Sequence, residues 1–203
     1  MKLSNSKRSQ KAALIFMLPA AGLVLGGCAE KQVQAQVFST PDECTAFYNP
    51  PAQCQAAFAE AEQLHPQVAP RYANKQECET DFGSGQCETA PQSNQQGSFF
   101  MPMMMGFMAG QMLNRGGLAP GGGQQASQQA TASGRNSVPT QPLYKSRDDR
   151  NTFRTASNTA VASQPGTTNI RPSAVQPKAA SLARRGGFGA QATQRSATRS
   201  YGG

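Results

Sequence analysis

The chain has 203 residues, no tryptophan, one histidine, 20 glycines, 14 prolines and a formal charge of +8. Its charge is divided: residues 28–91 carry three basic and nine acidic side chains, residues 92–203 twelve basic and two acidic. Such a division argues for two segments of different kinds. The lone histidine is accompanied by no second histidine, free thiol or Ser/His/Asp set that would support catalysis.

The N-terminus opens with Lys2, Lys7, Arg8 and Lys11, followed by an apolar run over residues 12–24. That pattern is an export signal, and its run is short of the roughly 20 residues a membrane span needs. Leu25-Gly26-Gly27-Cys28 closes it. This quartet resembles a lipobox, which makes residues 1–27 a cleaved signal and Cys28 the lipidated first residue of the mature chain. Multiple acyl chains anchor stably where a single one binds marginally. Ala29 stands where Asp commonly marks inner-membrane retention, so the expected address is the outer membrane, facing the periplasm.

Residues 28–38 are expected to be an anchor linker, and residues 39–91 a disulfide-stapled α-helical module. Cys44, Cys54, Cys78 and Cys87 form an even set in a short exported segment, the usual sign of a disulfide framework. Thr40-Pro41-Asp42-Glu43-Cys44 and Asn74-Lys75-Gln76-Glu77-Cys78 repeat one helix-start design, a capping residue followed three positions later by Glu. Asn49-Pro50-Pro51 and Gly83-Ser84-Gly85 break each unit before its second cysteine. The breakers favour local pairs, Cys44 with Cys54 and Cys78 with Cys87, each contributing about 3 kcal/mol in the loop-entropy picture. A crossed arrangement resembling the twin Cys-x9-Cys hairpin is the alternative. Zinc ligation is not expected, given the long spacings. Between the staples, residues 51–64 read as the longest helix, with Cys54, Phe58, Ala61 and Leu64 or His65 on one stripe and Pro66 and Pro70 ending it. His65 then sits at a helix C-terminus, where an imidazolium suits the helix dipole.

Residues 97–114 form a Met-rich apolar segment, too short to span a bilayer. Phe99, Phe100, Met103, Met104 and Phe107 supply membrane or partner contact, and Gly106-x-x-x-Gly110 a small-residue motif for close helix approach. Packing on the cysteine module, lying in the membrane interface and self-association or docking of an envelope protein are the three readings of this segment. Residues 115–203 are expected to be a long, disordered basic tail, because Gly, Ser, Gln, Pro and Thr bury too little apolar surface to offset chain entropy. Arg184, Arg185, Arg195 and Arg199 are its polyanion contacts. Arg184-Arg185-Gly186-Gly187-Phe188-Gly189 resembles the Arg-Gly-Gly segments of single-strand nucleic-acid binders. An export signal argues against nucleic acid and for peptidoglycan or anionic lipid head groups. The tail could equally fold back on the acidic module, or have no fixed partner.

The fold class expected is therefore a small all-α disulfide-stapled module, a Met-rich apolar segment and a disordered basic tail. The chain resembles the YgiB family of enterobacterial lipoproteins. The match runs through Leu25–Cys28, Tyr72-Ala73, Glu77-Cys78 to Phe82-Gly83, and Gly85-Gln86-Cys87. It continues in Gly97-Ser98-Phe99, Met101-Pro102, Gly106, Gly110, Gln141-Pro142-Leu143 and Arg185 to Gly189. The resemblance implies no activity and no catalytic residue. A lipid-anchored, non-enzymatic interaction protein without cofactor is the functional expectation.

Overall fold

Val33-Gln34-Ala35-Gln36-Val37-Phe38 alternates apolar and polar side chains, the period of a half-buried strand. In the computed structural model, which describes residues 30–91, 98–110 and 137–200, this stretch is β1 (Val33–Phe38). Three helices follow, α1 (Pro41–Ala46), α2 (Pro51–Val68) and α3 (Lys75–Phe82). Then come β2 (Cys87–Thr89), β3 (Phe100–Pro102) and β4 (Gly106–Ala109). The C-terminal half adds β5 (Gln141–Ser146), β6 (Asp149–Arg154), β7 (Ala160–Ala162), β8 (Gly166–Ile170), a 3₁₀ turn (Pro172–Val175) and α4 (Ala190–Ser200).

Six strands form one sheet in the order β7-β6-β5-β4-β1-β8, antiparallel throughout. The two outermost strands are joined by a short turn, and the Thr168 hydroxyl donates to the Val161 carbonyl at 3.0 Å. The sheet therefore curls until its edges meet, as a nearly closed barrel that leaves few unpaired strand groups. Its interior holds Val37, Met108, Leu143, Phe153, Val161, Ile170 and Val175.

The all-α module with a disordered tail is thus corrected to a mostly β fold. β1 comes out of the expected linker, and β5 to β8 and α4 out of the expected tail. Composition misled because strands here carry Thr, Asn and Gln, such as Gln34, Asn151, Thr167 and Asn169, on their wet faces. Each needs only two or three inward apolar residues, such as Leu143, Phe153 or Ile170. Gly106 and Gly110 also lie in or beside a strand, not a helix. Four-residue spacing puts two residues on one face of a strand as well as of a helix. A Cβ on Gly106 would sit 2.6 Å from the Phe38 carbonyl oxygen, and one on Gly110 2.6 Å from that of Val138. Close backbone approach is what excludes a side chain there.

The helices cover the barrel's outside. Phe38, Phe107 and Ala109 point away from the interior and pack with Cys44, Cys54, Ala57 and Ala61. Both helix starts form as their caps dictate: Thr40 Oγ1 accepts from the Glu43 N–H at 3.1 Å and Asn74 Oδ1 from the Glu77 N–H at 2.9 Å. Helix α2 runs through Pro66 to Val68, longer than the prolines suggested, and buries Cys54, Ala57, Ala61, His65 and Val68. Disulfides join Cys44 to Cys54 and Cys78 to Cys87, the local arrangement. Near its end the chain forms a strap beside α2, with the Ala180 N–H on the Gln67 carbonyl at 2.7 Å and the Ala183 N–H on that of Arg71 at 2.6 Å.

Truncating an interior side chain of the C-terminal half should therefore unfold the whole molecule. Leu143→Ala is expected to cost about 2–5 kcal/mol, while Met103→Ala, at an exposed position, should stay within about 0.5 kcal/mol. Urea denaturation followed by circular dichroism checks both; a tail without structure would make Leu143→Ala silent.

Candidate functional site

Asp81, near the end of α3, is 5% exposed, and burying a carboxylate demands donors. Four are supplied. Gly186 N–H reaches Oδ1 at 2.6 Å, while Gly187 N–H at 3.2 Å, Phe188 N–H at 3.3 Å and the Tyr72 hydroxyl at 2.9 Å reach Oδ2. Three successive N–H groups turned toward one anion make a backbone nest, and the positive φ of Gly186, 73°, is part of that turn. Phe188 then drops between Phe82, with ring centroids 4.6 Å apart, and Tyr144, 6.3 Å away. Burial, then the Asp81 charge, pushes the Tyr72 hydroxyl well above its ordinary pKa, so it stays a donor.

The same residue fixes a second element. Its carbonyl accepts the Arg147 N–H at 2.7 Å, holding the β5–β6 turn against α3. Asp148, next in that turn, accepts from the Ser146 hydroxyl at 2.5 Å and from the Gln191 N–H at 2.8 Å at the start of α4. Burial raises its carboxyl, but these donors outweigh burial and hold it below the usual range. Between α3 and the β5–β6 turn lie two adjoining clefts of about 380 and about 410 Å³, both lined by Thr80 and Arg147, the first also bordered by Gln191 of α4.

A second buried network lies between α2 and the outer face of the barrel. His65 Nε2 lies 3.2 Å from Glu88 Oε1 and Nδ1 2.8 Å from the Tyr144 hydroxyl. The carboxylate only accepts, so Nε2 carries the proton, Nδ1 accepts, and Tyr144 donates. The order of acid, imidazole and hydroxyl suggests a catalytic relay, but the Tyr144 side chain is wholly buried. Burial lowers the His65 pKa despite Glu88. The imidazolium expected at an open helix end is therefore corrected to a neutral ring inside the fold.

Cys28 lies outside the described residues. In the Met-rich stretch, Phe107, Gly106 and Gly110 are buried, Phe99 and Phe100 pack beside Tyr72 and Met101, and Met104 beside Phe107. That places the segment in the module's own core, because strand alternation sends its large side chains to two buried faces; of the contact residues expected there, only Met103 is exposed. Arg184 and Arg185 are exposed, Arg195 donates to the Gly186 carbonyl at 2.8 Å, and Arg199 lies in α4. The Asp81 nest and the Arg147 turn were missed in the sequence. Gly186-Gly187, beside an apolar Phe188, was the available signal for a backbone-bound anion. Among the described residues no helix is long and apolar enough to cross a membrane, and no group of three or more His, Cys, Asp or Glu could hold a metal ion.

These features define a disulfide-braced antiparallel barrel clasped by its own C-terminal segment, with a basic rim beside the clasp. The chain belongs to a family of proteins of unknown function, DUF1190, whose sequence profile matches residues 32–199. It is 32% identical over 198 residues to a UPF0441 protein of Klebsiella pneumoniae subsp. pneumoniae, and equally to one of Klebsiella pneumoniae strain 342; each alignment covers 90% of this chain and 82% of the relative. No solved structure matches the chain.

Replacing Asp81 by Ala strands three N–H groups and a hydroxyl, and should cost at least about 3 kcal/mol, since each orphaned buried donor costs about 1–3 kcal/mol. Loss of hydrogen-exchange protection at Gly187 and Phe188, ahead of the barrel strands, checks it. The His65 network makes a pH prediction. Its folded pKa lies below the unfolded value, so the unfolded chain binds more protons as pH falls through about 6.5. Stability should therefore drop on acidification from pH 7.5 to 5.5, and His65→Gln should flatten that slope in urea titrations at the two pH values.

Proposed function

We propose that this protein is a non-enzymatic binding module of the cell envelope, tethered by lipid on Cys28 to the outer membrane and facing the periplasm. Its ligand is an anionic envelope surface, peptidoglycan or lipid head groups. The observation that carries this reading is the placement of Arg184 and Arg185. Both are exposed, yet the backbone immediately after them is pinned to Asp81. They form a fixed basic rim, not charges on a wandering coil, and fixed charges lose less entropy on binding. The two disulfides support an oxidising compartment, and the lipobox-like quartet supports the tether. Nucleic acid is not the ligand in this reading, because the Arg-Gly-Gly segment uses its backbone on Asp81 and an exported chain meets little of it.

The soluble form beginning at Ala29 should co-sediment with purified peptidoglycan or with anionic vesicles at low salt and release at high salt, since exposed charges are screened within about 8–10 Å at physiological ionic strength. Arg184→Glu with Arg185→Glu should abolish that binding without shifting the thermal midpoint. Binding that survives the double change would refute the basic-rim assignment. In cells, Cys28→Ser should abolish palmitate labelling and membrane fractionation; persistent labelling would refute the tether.

A further inference from the structure

The paired clefts beside the clasp have features that neither the fold nor the proposed rim requires. One is lined by Thr80, Asp81, Arg147, Asp148 and Gln191, the other by Gln76, Glu79, Thr80, Ser84, Arg147 and Arg150. Arg147 is fixed at its backbone, where its N–H is held by the Asp81 carbonyl. Arg150 leaves β6 with its guanidinium beside the Gly83 turn: a Cβ built on Gly83 would sit 3.6 Å from its Nη2. Among the described residues neither guanidinium has a hydrogen-bond or ion-pair partner.

The carboxylates around them are already engaged. Glu79 accepts from the Gly85 N–H at 3.0 Å and lies 3.7 Å from the Lys75 ammonium. Asp148 is held by Ser146 and Gln191, and Asp81 by the nest. Arg147 thus lines both clefts and the Arg150 guanidinium borders the second, while the nearest carboxylates already have donors. Guanidinium pairs oxyanions bidentately, and the Ser84 hydroxyl and Gln76 amide add donors of lower charge, while the Thr80 hydroxyl already donates to the Gln76 carbonyl at 2.8 Å. A carboxylate offers two oxygens; a phosphate offers more, matching this larger donor set. Each cleft falls near the small end of the roughly 300–1,000 Å³ usual for ligand pockets, sized for one headgroup or sugar rather than a polymer.

We propose that Arg147 and Arg150 form a binding site for a single phosphate ester, with Gln76, Thr80 and Ser84 contacting the group that bears it. The proposal deepens the envelope reading and rests on it for the source of the ester. The recognition chemistry is shared by a phosphorylated sugar and a phospholipid headgroup.

The test uses the soluble chain beginning at Ala29, with N-acetylglucosamine 1-phosphate as one probe and vesicles containing phosphatidylglycerol as the other. Binding is read by calorimetry for the sugar, by flotation for the vesicles, and by amide shifts at Thr80 and Ser84. Saturable binding of at least one probe is expected, weakened at least tenfold by Arg147→Gln with Arg150→Gln. Arg184→Gln with Arg185→Gln should leave the sugar affinity within twofold. Both charge-neutral pairs lie on exposed side chains, and the Arg147 N–H contact with Asp81 survives the change, so an unaltered thermal midpoint accompanies the expected result. Sugar without vesicle binding assigns a soluble ester; vesicle binding lost in the Arg147/Arg150 pair assigns a headgroup. No saturable binding of either probe, or binding that persists in the Arg147/Arg150 pair when the vesicles are tested in the Arg184→Gln, Arg185→Gln background, overturns the site. Failure of the basic rim is a separate result, read by peptidoglycan co-sedimentation of the Arg184/Arg185 variants.

Discussion

A buried carboxylate has to be surrounded by donors, and Asp81 obtains them from parts of the chain that are remote in sequence. Its side chain gathers Tyr72 and the backbone of Gly186 to Phe188, about a hundred positions away, while its carbonyl takes the N–H of Arg147. One residue thereby joins the end of α3, the β5–β6 turn and the C-terminal clasp. The aromatic cluster of Phe82, Tyr144 and Phe188 depends on that arrangement, because Phe188 enters the core only where the nest sets the backbone. Low local dielectric strengthens the hydrogen bonds and makes any vacancy among them costly.

What was legible in the sequence was local. The Thr40 and Asn74 caps and the breakers before Cys54 and Cys87 encode structure within ten residues, and helices and disulfides formed there accordingly. The sheet depends on partners far apart, which no local window contains. β1 did carry its signal, the alternation of Val33, Ala35 and Val37 with glutamines, but it lay in a stretch assigned to a linker. β5 was harder, since Pro142 lies within it and pairs in register with Phe107; proline in a sheet interior argues against a strand. The candidate site was less legible still. Its arginines were visible as a tally of charge, whereas the distinction between Arg184 and Arg185 at the rim and Arg147 and Arg150 at the cleft arises only once the clasp closes.

The two halves carry opposite net charges, but no ion pair joins them among the described residues. The acidic segment carries −6 and the region after it +10. Yet the ion pairs among the described residues are His65–Glu88, Lys75–Glu79 and Arg154–Asp149, each within one half. Contact across the divide is made by the pairing of β1 with β4 and β8, by hydrogen bonds such as those on Asp81 and His65, and by packed rings. The field between the halves falls off gently, while the fit is set by short, directional bonds. Arginine side chains are consequently left pointing outward, where they remain available to other anions.

The pairing of β1 with β8 also sets a clock. Val33 faces Ile170, 137 positions further along the chain. A ribosome adding about 5–20 residues per second delivers that partner some 7–27 s after β1 has been made. For that interval one flank of β1 is an open edge, a template for other strands, and the barrel's apolar lining has no lid. The newborn chain is thus committed to a long unfinished state, which makes a holding chaperone valuable until the last strand arrives.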